Sequence, residues 1–245
     1  MDSDDEPLTL SAHALAALSE FKTEEKERLE KFEAMYKSSE EQFDKNQTIS
    51  IDVFQEDWQL SQFWYTDMTA ATLGRALLDG ADSTTVVVIA SAPSVYAAIK
   101  NFAPEDVPTE HIYLLEFDDR FRVLGGPHFS KYDYNYPEDI PEHLRNKCHR
   151  LLIDPPFLEP ECQTKSAQAA KNLLVKDKNE KTTGGDLKFK LITSTGERMK
   201  EVVQRNYPDT KQTNYYPEHK NGLSNEFRCY ASFECNYWQF ESDEN

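Results

Sequence analysis

TVVVIASAPSVYAAIKN, residues 85–101, joins an unbroken β-branched run to a segment that opens on proline. The first part, Thr85–Ala90, predicts a strand buried on both faces, because a half-solvated strand would alternate apolar with polar residues. The second, Pro93–Asn101, predicts a helix with proline in its first turn, where an absent amide donor is tolerated. A buried strand feeding a helix is the repeating unit of a parallel sheet covered on both sides.

The alternation continues downstream. His111–Glu116 (HIYLLE), Phe129–Tyr132 and His149–Ile153 predict three more strands, and Glu161–Val175 a helix after the last of them. Lys188–Ser194 (KFKLITS) predicts a fifth strand, followed by a helix over Glu197–Arg205, and Phe227–Phe233 late strand material at an antiparallel edge. Between them Lys176–Asp186 (KDKNEKTTGGD) is polar and glycine-containing, which predicts a mobile surface insertion. Upstream, Leu10, Ala14, Ala17, Leu18 and Phe21 recur at helical spacing. Residues 1–46 carry 13 acids against 6 bases and predict an acidic, solvated arm with helices, or else an arm that docks a partner. The expected division is this arm, a body over 47–240, and a short acidic tail over 241–245.

Composition narrows the partners. With 27 basic and 44 acidic residues in 245, the formal charge is −17. Such a surface repels phosphate backbones and attracts a basic protein. The four cysteines show neither zinc-type pairs nor a disulfide framework, so they are expected as small buried thiols in a reducing compartment. The six histidines form no metal-ligand or triad spacing, and no metal is expected. No apolar run approaches the roughly 18 residues of a membrane helix, and MDSDDEPLTL has no signal-peptide pattern. A soluble, cytoplasmic, monomeric protein with no membrane or nucleic-acid partner is the expectation.

LLIDPPFLEP, residues 151–160, places Asp154 at the carboxyl end of the fourth strand. Open α/β sheets bind ligands outside the carboxyl ends of their strands, near the switch in strand order. DPPF matches the (Asp/Asn/Ser)-Pro-Pro-aromatic motif of amino methyltransferases that use S-adenosylmethionine. SAHALAALSEF, DWQLSQFWY, SAPSVY, EFDDRF, YDYN, STGERM and NEFRCY extend that resemblance over about residues 8–235. Together they resemble a subfamily of lysine methyltransferases acting on eukaryotic elongation factor 1A.

The resemblance implies a Rossmann-like α/β fold: a seven-stranded sheet, mostly parallel with an antiparallel edge, plus an N-terminal helical extension. It implies S-adenosylmethionine as cofactor and elongation factor 1A as protein substrate. Gln62, Trp64 and Tyr65, in the segment 56–73, are implied at the methionine portion of the cofactor, with Phe63 either there or in the core. Ser91, Ala92 and Pro93 form the loop after the first strand, which lacks the glycines usual in this fold. Glu116, or its rival Asp118, is implied at the ribose, and Asp133 at the adenine amine unless it only caps a turn. Asp154, Pro155 and Phe157 are the implied catalytic group, Asp154 also touching the cofactor; Pro156, Phe157, Asn225 and Phe227 face the substrate. Phe157 offers a π face to a nitrogen gaining positive charge. A nucleic-acid adenine methyltransferase of the same fold and a non-catalytic scaffold are the alternatives.

Overall fold

A computed structural model describes residues 51–54, 56, 62–223 and 226–241. The expected N-terminal helix and acidic arm, Asn225 and nearly all of the acidic tail lie outside the described residues. The body falls within a compact unit spanning Thr48–Asn245.

Seven strands form one sheet: β1 (Val87–Ala90), β2 (Ile112–Glu116), β3 (Phe129–Lys131), β4 (Arg150–Ile153), β5 (Lys190–Gly196), β6 (Lys211–Gln212) and β7 (Phe227–Ala231). Their order is β3-β2-β1-β4-β5-β7-β6. β1 to β5 are parallel neighbours. The antiparallel margin is built from two strands, β7 running against β5 and β6 closing the edge outside it. β6 is only two residues long and polar, so no periodicity could mark it. β5 reaches Gly196, two residues beyond the expected Ser194.

Among the described residues four helices longer than a single turn cover the sheet: α1 (Asp67–Leu78), α2 (Pro93–Lys100), α3 (Pro160–Leu173) and α4 (Lys200–Asn206). The expected helix over 197–205 divides into a 3-10 turn, Glu197–Met199, and α4. Helix α1 is capped by Thr66, whose hydroxyl accepts from the amide of Thr69 at 3.2 Å. Its buried face includes Leu73, Gly74 and Leu77. A Cβ on Gly74 would lie 2.8 Å from Ile99 Cγ1 of α2, so glycine sets how closely these two helices pack.

Because β1 and β4 are flanked on both sides, their residues face helices in alternation. Val88, Ala90, Leu151 and Ile153 share a buried cluster with Ala169, Leu173, Val203 and Tyr207 of the α3/α4 layer. The run 87–90 is wholly buried, as an interior parallel strand requires.

Two details differ from the sequence expectation or sharpen it. The segment 176–186 is a tied turn: Thr182 N donates to Asp186 O at 2.8 Å, and Thr183 N to Asp82 Oδ2 at 2.9 Å. His149 takes a structural role, its Nδ1 accepting the Val86 amide at 2.9 Å where β4 starts. All four cysteines are free, three buried and Cys235 half-buried.

Candidate active site

Register builds the site. Ala90 pairs with Leu115 on one side and with Ile153 on the other. The next residues, Ser91, Glu116 and Asp154, therefore leave the sheet side by side at its carboxyl edge. The chain runs from β1 outward to β2 and β3, then returns to β4 on the opposite side, so β1/β4 is the switch point where a crevice opens. Since β7 runs antiparallel, its first residue reaches the same edge: Phe227 pairs with Gly196 at the end of β5.

A cavity of about 710 Å³ fills this crevice, within the size range of small-molecule sites. Gln62, Phe63, Trp64, Ser91, Ala92 and Pro93 line it, with Glu116, Asp133, all of Asp154–Phe157, and Phe227.

The loop after β1 solves the absent-glycine problem by strain. Ser91 takes a left-handed backbone, φ 57°, the conformation glycine usually supplies. A non-glycine residue there loses roughly 1–2 kcal/mol. Its amide nevertheless extends the ladder, donating to Leu115 O at 2.9 Å. Ser91, Ala92, Pro93 and Ser94 then present the start of α2 to the cavity, small residues and oriented amides together.

The corner after β4 is fixed from three sides. Gln163 of α3, fully buried, donates from Nε2 to Phe157 O at 3.2 Å and to Thr195 Oγ1 at 3.1 Å, tying corner to β5. Leu158 packs on Gly196, where an added Cβ would stand 3.0 Å from Leu158 Cδ1. Phe157 meets Tyr134 edge-on, ring centroids 5.8 Å apart. Asp154 itself is half-buried, and its Oδ2 accepts from the buried phenol of Tyr65 at 2.6 Å. Burial pushes this carboxyl up to about 7, against the hydrogen bond from Tyr65, which pulls it down.

Glu116 ends β2 almost fully buried, 6% exposed. Its Oε1 accepts the amides of Phe117 at 2.9 Å and Asp118 at 3.4 Å. Burial outweighs those bonds and raises the carboxyl to about 7. Asp118, the rival, does not line the cavity: Arg120 Nε donates to its Oδ2 at 2.7 Å and Gln62 Nε2 at 3.1 Å. Desolvation pushes its carboxyl up, but the bonds from Arg120 and Gln62 win and hold it below the ordinary range. Asp118 thus braces Gln62 and does not face the cavity.

Tyr65, expected at the methionine arm, is set back from the cavity. It lies behind Asp154 and is not part of the cavity wall, its ring 4.7 Å from that of His219. Trp64 contributes a wall but is mostly core, with Nε1 donating to Phe54 O at 3.0 Å and its ring edge-on to Phe121. Phe63 is half-buried and lines the cavity. Asp133 accepts the Asn135 amide at 2.8 Å in a turn and also lines the cavity.

Sequence reasoning missed Phe117, Tyr134, Asn135, Leu158, Arg198, His219 and Leu223 in the wall. Some of these sit inside motifs already singled out, such as YDYN and STGERM, so position within a motif was the available signal. His219 had none: it arrives through an antiparallel bridge with Tyr65 and an edge-on contact with Phe227, centroids 4.5 Å apart. Burial lowers its pKa to about 4, so the ring is neutral at pH 7. Among the described residues no cluster of three metal-ligating side chains occurs, and no helix is long and apolar enough to cross a membrane.

Comparison with known proteins follows the same lines. A family profile described as "Probable N6-adenine methyltransferase" matches residues 56–235. The protein-lysine N-methyltransferase EFM5 of Saccharomyces cerevisiae is 56% identical over 236 residues, 96% of this chain and 95% of its own length. EEF1A lysine methyltransferase 1 of Homo sapiens is 35% identical over 232 residues, 94% of each chain. Among solved structures, a branched-chain polyamine synthase variant from Thermus thermophilus superposes with a TM-score of 0.50 at 11% identity, over 88% of this chain and 67% of that one, a likeness of fold alone.

Proposed function

The chain belongs to the methyltransferase family matched by that profile, and on this premise we propose that it methylates a lysine side-chain amine of translation elongation factor 1A. The observation that carries the reading is the level at which Ser91, Glu116 and Asp154 leave the sheet, beside a diproline corner and an aromatic ring.

The cavity fits S-adenosylmethionine. Its volume suits a nucleoside with an amino-acid arm, a buried carboxylate ends β2, and small residues open α2. Glu116 would hold the ribose hydroxyls, Ser91–Ser94 would allow close backbone approach, and Asp133 would meet the adenine amine. Gln62 and Trp64 would border the methionine arm. When bound, this cofactor supplies a methyl group activated on a sulfonium.

The chain's own residues then have to present a neutral nitrogen in line. Asp154 Oδ1 accepts a hydrogen bond from the amine and orients its lone pair; the Pro155 carbonyl offers a second acceptor. Phe157 and Phe227 wall the nitrogen, and the ring of Phe157 stabilises charge developing on it. A free lysine has a pKa near 10.4, so giving up its proton at pH 7 costs about 4–5 kcal/mol unless the site lowers that value. Desolvation among these rings lowers it, whereas a charged Asp154 raises it. The proton leaves to solvent before attack, and Asp154 orients without storing it.

The net charge of −17 favours a basic protein over nucleic acid, and relatives named as lysine methyltransferases support the same choice against the adenine wording of the profile. The free thiols suit a cytoplasmic setting. Incubation with labelled S-adenosylmethionine and cell extract, followed by mass spectrometry, tests the class. Label on a lysine of elongation factor 1A is expected; label in nucleic acid would replace this reading with the adenine one. Asp154→Ala should abolish transfer with cofactor affinity largely kept.

A further inference from the structure

Asp154 is an unusual carboxylate. It stands half-buried in the cavity wall, and among the described residues no lysine, arginine or charged histidine pairs with it. Among the described residues its close side-chain partner is a phenol, Tyr65, buried to 1% exposure and donating at 2.6 Å. The titratable groups nearest this pair are no help in holding a negative charge, although the Ser194 hydroxyl lies beside Tyr65. Glu116 at the end of β2 is a second acid within electrostatic reach of Asp154, and so is the Cys162 thiol of α3. Against Tyr65 lie the neutral ring of His219 and the buried Cys229.

We infer that Tyr65 is a positioning residue: its hydroxyl holds Asp154 Oδ2 in place and stabilises the ionised carboxylate, leaving Oδ1 as the oxygen offered to the substrate amine. The inference rests on Asp154 being the group that orients that amine.

Three features of the chain support the assignment. Tyr65 is held on both flanks of its own segment, by Lys220 N donating to Trp64 O at 2.8 Å and Thr66 N donating to Glu218 O at 2.9 Å. Its ring packs on His219, so the side chain is located by packing and its hydroxyl has little freedom to leave Asp154. Finally, burial and the neighbouring Asp154 keep the phenol protonated well past the ordinary tyrosine range, so at working pH it is always a donor. A hydrogen bond that favours the charged form of an acid lowers its pKa, and one made to a charged group is stronger than one between neutral groups.

Tyr65→Phe tests this while keeping the ring against His219. Cofactor affinity, measured by calorimetry, should stay within about twofold and report that the variant is folded. On the protein substrate kcat should fall on the order of tenfold or more. The diagnostic readout is the pH profile of single-turnover rate. Its acidic bend, set by ionisation of Asp154, should move upward by about one to two pH units, the size expected for losing a hydrogen bond to a charged group. A fall in kcat with an unmoved bend would make Tyr65 a packing residue only, and unchanged kcat would also overturn the inference. Should Tyr65→Phe not fold, 3-fluorotyrosine placed at position 65 alone gives a more acidic donor in the same packing and must move the bend downward; no movement overturns the inference again. Failure of the underlying reading looks different: Asp154→Ala would retain turnover in the otherwise native protein, whatever Tyr65→Phe does.

Discussion

Replacing Glu116 by glutamine separates what the carboxylate does for binding from what it does to stability. Glutamine has the same shape and keeps an oxygen for the amides of Phe117 and Asp118. In the folded protein without ligand the carboxyl sits at about 7, against 4.5 for an ordinary glutamate, with burial the largest cause. A group whose pKa is raised on folding stabilises most below its unfolded value, and that stabilisation is lost as pH rises through the folded value. Wild type should therefore lose stability between about pH 4.5 and pH 7. At 1.36 kcal/mol per pH unit, the interval from 4.5 to about 7 corresponds to about 3 kcal/mol; the charges of Asp118 and Asp154 nearby share part of this, so about 2–3 kcal/mol belongs to the burial of Glu116. Glu116→Gln removes the pH-dependent penalty. Urea denaturation at pH 5 and pH 8 should show the variant gaining about 2–3 kcal/mol on wild type between the two, or about 4–12 °C in Tm. Affinity for S-adenosylmethionine should drop on the order of tenfold, because the ribose hydroxyls lose a charged acceptor. A stability difference independent of pH, or one that turns against the variant at pH 8, would show that Glu116 is not a desolvated acid poised for a ligand.

Three further outcomes test the frame around the site. Ser91→Gly should raise stability by about 0.5–1 kcal/mol, relief of the left-handed backbone exceeding the entropy of the added glycine, with cofactor affinity within twofold by calorimetry. Gly196→Val pushes on Leu158 and hence on the corner carrying Asp154, so kcat should fall on the order of tenfold or more while cofactor affinity changes little. Arg150→Met removes the donor from the carbonyls of Leu77 and Lys188, while Lys190 Nζ still reaches Asp79 O at 2.7 Å, and urea denaturation should register a loss of about 2–3 kcal/mol.

The sheet was legible because its interior strands are buried on both faces: TVVVIA and RLLI can do nothing else in water. Asp154, Glu116 and the Ser91 loop were legible because a parallel sheet places strand ends at one edge, and register then sets them level. What stayed hidden depended on pairing between distant segments. Nothing in YYPEHKNG announces that His219 will bridge to Tyr65, and the polar pair Lys211–Gln212 has no pattern to mark it as a strand. Asp118 and Glu116 are interchangeable on paper; in the structure Arg120 and Gln62 close on Asp118, and Glu116 is the one of the two that lines the cavity. The glycine-poor loop looked like an objection to a cofactor site, and the backbone of Ser91 answers it.

Arg150 is fully buried at the first residue of β4, and its guanidinium holds the carbonyls of Leu77 and Asp79 at 2.6 and 2.7 Å, where α1 ends. Helix α1 starts two residues after Tyr65, and β4 finishes one residue before Asp154. Tyr65, helix, arginine, strand and Asp154 thus close into a ring, sealed by the 2.6 Å contact between phenol and carboxylate. Loosening the clasp at its far side is therefore expected to disturb the contact between phenol and carboxylate. Residues with no view of the cavity thus help to set where the carboxylate stands at its edge.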